Sequence, residues 1–159
     1  MQNNQPMLIN SWVGRFIGLA EHVATWSKDP STKVGAVTID PYTKIVTGLG
    51  FNGFPRGIED DQERLENREM KYKIVVHAEM NAVLNANNNV RGNYMFTTLP
   101  PCHDCTKFLI QAGIVRIYTN RNIPDRWMES FNLSKAMLKE ARIPVYLWDN
   151  EKLMVSDIL

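Results

Sequence analysis

The chain has 159 residues, 44% of them hydrophobic, enough for one buried core, so residues 1–159 are expected to form a single domain. Eighteen Lys and Arg oppose seventeen Asp and Glu, and a formal charge of +1 argues against a nucleic-acid backbone as the main partner. The start Met1-Gln2-Asn3-Asn4-Gln5-Pro6 lacks the basic and then apolar order of an export signal, and no apolar run is long enough to span a bilayer. A soluble, cytoplasmic chain without a membrane partner is therefore expected.

From Ser11 to Ser27, Trp12, Phe16, Leu19, Val23 and Trp26 recur at helical spacing; Asn10 or Ser11 stands as cap and Asp29-Pro30 as terminator. Val34 to Ile39 and Ile45 to Gly50 are β-branched runs joined through Asp40-Pro41-Tyr42-Thr43-Lys44, which reads as a hairpin. From Phe51 to about Met70 the chain is rich in Gly, Pro and charge and reads as an ordered functional loop, with a short solvated helix around Arg64 to Glu69. Beyond Lys73, helices and strands alternate: helix His77–Ala86, strand Tyr94–Thr98, helix Cys102–Ala112, strand Arg116–Thr119, helix Met128–Ala141, strand Val145–Trp148. Such alternation implies a central sheet covered by helices on both faces. Gly113 falls where a helix end favours positive φ, and Pro144 opens the last strand.

The only two cysteines lie three residues apart in Pro101-Cys102-His103-Asp104-Cys105, a spacing suited to a metal or redox centre in a reducing compartment. At a helix start both sulfurs can reach one point, and the free N–H groups there favour thiolates. Of the three histidines, His22, His77 and His103, the best third ligand is His77, because His103 lies between the cysteines and would point away from their shared face. Glu79 follows His77 by two positions and can converge with it only if His77 sits at the helix entry, where the backbone is not yet regular. Three protein ligands leave a fourth zinc position for water, and Glu79 is then free to shuttle protons. His-x-Glu followed by Pro-Cys-x-x-Cys is the recurrent signature of zinc nucleobase deaminases. The sequence presents it as His77-Ala78-Glu79 and Pro101-Cys102-His103-Asp104-Cys105.

From about Trp12 to Trp148 the chain resembles the deoxycytidylate deaminase branch of the cytidine deaminase superfamily. The resemblance rests on Ser27-Lys28-Asp29-Pro30-Ser31-Thr32-Lys33-Val34-Gly35-Ala36, Gly50-Phe51-Asn52-Gly53-Phe54-Pro55-Arg56-Gly57 and His77-Ala78-Glu79-Met80-Asn81-Ala82. It implies a three-layer α/β/α fold with a central mixed five-stranded sheet, and hydrolysis of dCMP to dUMP and ammonia with one zinc per chain. By the same resemblance Asn52 binds the deoxyribose 3′-hydroxyl and the Ala78 backbone holds the pyrimidine edge. Lys28, Ser31 and Lys33 lie in the phosphate-binding segment. Two departures stand out: Phe51 replaces a common Tyr, and Asn120 to Trp127 lacks the Tyr expected near the phosphate, a role Arg121 or Arg126 can fill. The resemblance further implies a homo-oligomer, a hexamer in this branch, activated by dCTP and inhibited by dTTP. The effectors would bind with Mg²⁺ through Gly50, Phe51, Asn52, Gly53 and Arg56.

Two other readings stay open on the residues alone. An RNA adenosine or cytidine deaminase would need a basic groove and stacking platforms. A non-catalytic zinc module would leave Glu79 dispensable.

Overall fold

The computed structural model describes residues 5–120, 123–149 and 152–155. Helix α1, Asn10–Ala24, buries Val13, Phe16, Ile17, Ala20 and Val23, one apolar stripe at helical spacing. It begins one residue before the expected caps: Ile9 occupies the cap position and no side chain closes the helix start. The chain leaves the helix at Thr25, whose hydroxyl donates to the His22 carbonyl, well ahead of Pro30.

Strands β1, Gly35–Ile39, and β2, Val46–Phe51, form the expected hairpin. Its turn is held by Asp40, whose carboxylate accepts from the amides of Tyr42 and Thr43, while Lys44 takes φ 61°. The stretch read as one loop with a short helix contains two helices, α2, Gln62–Glu66, and α3, Arg68–Ile74. Asn67 ends the first and caps the second through the Met70 amide, an N-cap function that suits Asn.

After α4, Ala78–Leu84, come β3, Tyr94–Thr97; α5, His103–Ala112; β4, Arg116–Asn120; α6, Met128–Glu140; and β5, Val145–Asp149. A 3₁₀ turn, Asp125–Trp127, leads into α6. The five expected strands are all present, and a sixth, β6, Lys152–Val155, extends the sheet beyond β5. Strand order is β2-β1-β3-β4-β5-β6, with β3, β4 and β5 parallel and the outer pairs antiparallel, so the sheet is mixed as expected.

Period-two alternation sorts β3 onto two faces. Tyr94 and Phe96 pack with Tyr118 and with Phe16 and Ile17 of α1 on one side. Met95 packs on the other with Ala78 and Ala82 of α4, Leu109 of α5 and Leu138 of α6. Helix, sheet and helices thus form the three layers. Two glycines set how closely the helices approach: a Cβ at Gly35 would lie 1.9 Å from the Ala20 carbonyl oxygen of α1, and one at Gly50 would lie 2.3 Å from the Ala82 nitrogen of α4. Gly113 ends α5 at φ 85°.

Candidate metal centre and cleft

Two helix starts meet at one point. His77 is the N-cap residue of α4, still extended at φ −71° and ψ 156°, which is the irregular entry its pairing with Glu79 requires. Cys102 is the N-cap of α5 and Cys105 lies in its first turn, where the Cys105 amide approaches the Cys102 sulfur. The three ligand atoms all lie within 4.8 Å of one another. His77 Nδ1 is 3.4 Å from the Cys102 sulfur and 3.4 Å from the Cys105 sulfur.

The donor set suits a tetrahedral zinc. Zn–S of about 2.3 Å and Zn–N of about 2.05 Å put neighbouring S and N ligands about 3.6 Å apart. Both observed spacings come within a few tenths of an ångström, so the residues fit the ion with little movement. His103 stays out of the cluster: its ring Nδ1 lies 2.7 Å from the Ser130 hydroxyl.

The electrostatics point the same way. Cys102 is held as a thiolate, down to about 4, chiefly by its hydrogen bond from Cys105 and also by His77, against the upward push of burial. The Cys102 partner and burial drive the Cys105 thiol strongly upward. The bond to Cys102 raises the His77 imidazole to about 9 against burial, with the Glu79 charge adding to the rise. Burial pushes the Glu79 carboxyl up to about 7, His77 opposes this, and the Cys102 charge reinforces it. Four groups that compete for protons in a low-dielectric pocket form the environment a divalent cation relieves.

His77, Ala78, Glu79 and Cys102 line a cleft of about 860 Å³, part of it open to solvent. The other walls come from the segment after α1, from α3, and from the 3₁₀ turn with the start of α6. Of the substrate residues expected from the sequence, Ser31, Asn52, Ala78 and Arg126 line this cleft together. Lys28 does not: it is solvent-exposed and its ammonium pairs with Asp60 at 2.7 Å. Lys33 is exposed and outside the lining, and Arg121 lies outside the described residues. The Asn52 amide is engaged with the turn beside it, accepting from the Val34 amide at 2.8 Å and donating to the Thr32 carbonyl at 2.9 Å.

The segment expected to bind effectors is tied at four points to α4 and the residues that flank it. The close approach at Gly50 is made by the α4 backbone. The Phe51 carbonyl accepts from Asn81 at 2.7 Å, Gly53 exchanges backbone hydrogen bonds with Val76, and Arg56 donates to Asn85 at 2.7 Å. Phe51 also meets the edge of Trp26, ring centroids 6.1 Å apart.

Sequence reasoning missed one wall. Arg68, Lys71, Tyr72 and Val75 of α3 and its C-cap all line the cleft. Their i, i+3, i+4, i+7 spacing is the signal that could have revealed them, hidden because the positions are mostly polar. Tyr72 reaches Trp127, ring centroids 5.6 Å apart, so aromatic rings from α3 and the 3₁₀ turn meet at the cleft.

Comparison with known proteins agrees with the geometry. A family model described as the cytidine and deoxycytidylate deaminase zinc-binding region matches residues 10–120. An uncharacterised deaminase from the luxG 3′ region of Aliivibrio fischeri is 40% identical over 141 residues, covering 87% of this chain and 94% of that protein. Deoxycytidylate deaminase of Mus musculus is 43% identical over 112 residues, covering 67% of this chain and 62% of the mouse protein. The chain therefore spans less than two thirds of that mammalian relative. Among solved structures, the dCMP deaminase of cyanophage S-TIM5 in apo form superposes with TM-score 0.70 at 25% identity, covering 89% of this chain and 100% of that one.

Proposed function

Since the chain belongs to the cytidine and deoxycytidylate deaminase family, we propose that it hydrolyses dCMP to dUMP and ammonia. One observation carries the reading: a buried carboxylate and a His/Cys/Cys cluster share a cleft with a wall of cationic and hydroxyl side chains. His77, Cys102 and Cys105 would hold a zinc ion, whose Lewis acidity would make water nucleophilic at neutral pH.

The remaining work falls to the chain itself. Glu79, buried and with its carboxyl raised to about 7, can both take and return a proton at neutral pH. It accepts one proton of the attacking water and delivers it to the pyrimidine ring nitrogen as oxygen bonds to C4, then takes the remaining hydroxyl proton and passes it to the amino group, so that the C4–N bond breaks, C4=O forms and ammonia leaves. Water and dCMP are thereby consumed and dUMP and ammonia released. The Ala78 N–H lies at the start of α4, where the first amides have no partner within the helix, and is suited to hold the pyrimidine edge. Asn52, Ser31 and Arg126 line the same cleft and are assigned to the sugar and the phosphate. Arg121 is a second candidate donor for the phosphate.

Ammonia release from dCMP, CMP, deoxycytidine, dAMP and a structured RNA tests the assignment. Turnover of dCMP well above the others supports it; turnover of RNA alone would replace it with the RNA-deaminase reading. The same proposal includes regulation in a homo-oligomer, hexameric by family resemblance, with Mg²⁺-dCTP activating and Mg²⁺-dTTP inhibiting at Gly50, Phe51, Asn52, Gly53 and Arg56. The ties from this segment to α4 and its flanking residues support it, since one partner, Val76, directly precedes His77. Rate curves against dCMP with each triphosphate, repeated on Arg56→Ala, decide it; superimposable wild-type curves would remove the regulation alone.

A further inference from the structure

Building on the deaminase reading of the cleft, we propose that Lys71 is a positioning residue for the phosphate end of the substrate. Its ammonium holds the turn from Asp29 to Thr32 in the shape that receives a 5′-phosphate monoester. Lys71 is only 5% exposed although it sits on a short helix at the molecular surface. An ammonium is rarely buried unless paired, and this one is: it lies 3.1 Å from the Asp29 carboxylate and donates to the Ser31 hydroxyl at 2.9 Å.

The same Asp29 oxygen also accepts from the amides of Ser31 at 2.8 Å and Thr32 at 3.0 Å. Around Thr32 the network continues, with the Asn52 amide on its carbonyl and the Arg126 guanidinium 3.0 Å from its hydroxyl. The turn is thus shaped by side-chain struts, with a buried charge pair at their centre. All of these residues line the cleft. Asp29 and Lys71 cancel, so the excess positive charge on this side of the cleft comes from the guanidiniums of Arg68 and Arg126. Two such groups match a phosphate monoester dianion, whereas a nucleoside without phosphate has no use for them. Lys71 therefore acts through the turn and affects nucleotide binding, while the chemistry at Glu79 is left intact.

The test compares zinc-loaded wild type with Lys71→Met. For dCMP, KM is expected to rise about tenfold with kcat within about twofold, while kcat/KM for deoxycytidine stays within about twofold. Calorimetric titration with dUMP should show the same loss of affinity, and deoxyuridine none. If Lys71→Met does not fold, Lys71→Gln, which keeps an N–H donor without the charge, carries the same comparison. Equal losses for nucleotide and nucleoside, or unchanged dUMP affinity, would overturn the proposal. Wild type that releases ammonia from neither substrate would overturn the deaminase reading, and the dUMP and deoxyuridine titrations would still decide the role of Lys71.

Discussion

Asp29 and Glu79 are carboxyl groups of one cleft, both buried, whose acidities are moved in opposite directions. Burial raises both. At Asp29 two backbone amides and the Lys71 ammonium outweigh it and hold the group below the usual carboxylate range, whereas at Glu79 burial prevails. A depressed folded-state pKa means that Asp29 contributes stability above its unfolded value of about 3.9, and that this contribution is lost as pH falls through the folded value. Asp29→Asn leaves Lys71 buried without its counter-charge and is expected to cost about 3 kcal/mol at pH 7. The difference between the two melting curves should begin to shrink as pH falls past about 4, the unfolded value, and vanish only once pH is below the depressed folded-state value, where the wild-type carboxyl is also neutral. Glu79 carries the complementary test. Glu79→Gln should bind a full complement of zinc and melt within a few degrees of wild type, yet lose at least about a hundredfold in kcat, because an amide cannot shuttle protons. Near-normal turnover would sink the proton-shuttle assignment. At this scale the metal cluster was legible because histidine and cysteine are scarce and their spacing is diagnostic. Lys28 misled because a sequence does not show that Asp60 is near it, and Lys71 was overlooked because burial of a lysine depends on a partner 42 positions away.

Among the elements, α4 has the strictest demands. Its N-terminal end carries His77 and Glu79, and its flank lies against β2 so closely that Gly50 admits no side chain. A methyl at this point would press on backbone atoms of α4, which cannot rotate aside. Gly50→Ala is expected to destabilise the fold by about 1–3 kcal/mol through overpacking and, by shifting α4, to lower kcat as well. Gly57→Ala is the control. Its Cβ would meet nothing, and its φ of 81° makes any penalty one of local backbone strain, with no push on α4. Thermal melts and kcat with dCMP measured on both variants separate the two effects; a Gly50→Ala protein as active and stable as wild type would show that α4 tolerates displacement. Periodicity revealed the long elements α1, α5 and α6 and the hairpin, since their apolar patterns are strong. It blurred α2, which is only five residues long, and α3, whose cleft-facing stripe of Arg68, Lys71 and Tyr72 carries no strong hydrophobic signal.

For the molecule as a whole, alternating strands and helices in the sequence already specified a three-layer architecture. Strand order was not specified, because pairing between β1 and β3 depends on tertiary packing across the intervening cleft segments. Short edge strands such as β6 leave little sequence pattern to read. The order β2-β1-β3 has a further consequence for the path by which the protein forms. The hairpin closes locally, but β3 can join it only after the 42 residues between Phe51 and Tyr94 are gathered in, and β3 lies in the chain between the two helix starts that carry His77 and Cys102. Contacts that span long stretches of chain close late, because loop entropy must be overcome before they are made. The metal centre should therefore be completed on the native side of the folding barrier. Interactions absent from a transition state slow unfolding without hastening refolding. In denaturant-jump experiments with and without chelator, zinc should lower the unfolding rate and leave the refolding rate unchanged. Acceleration of refolding by zinc would instead place the cluster in the nucleus. On this account the ion that supplies the chemistry also acts as a late-engaging latch, and its departure is the event that shortens the lifetime of the native chain.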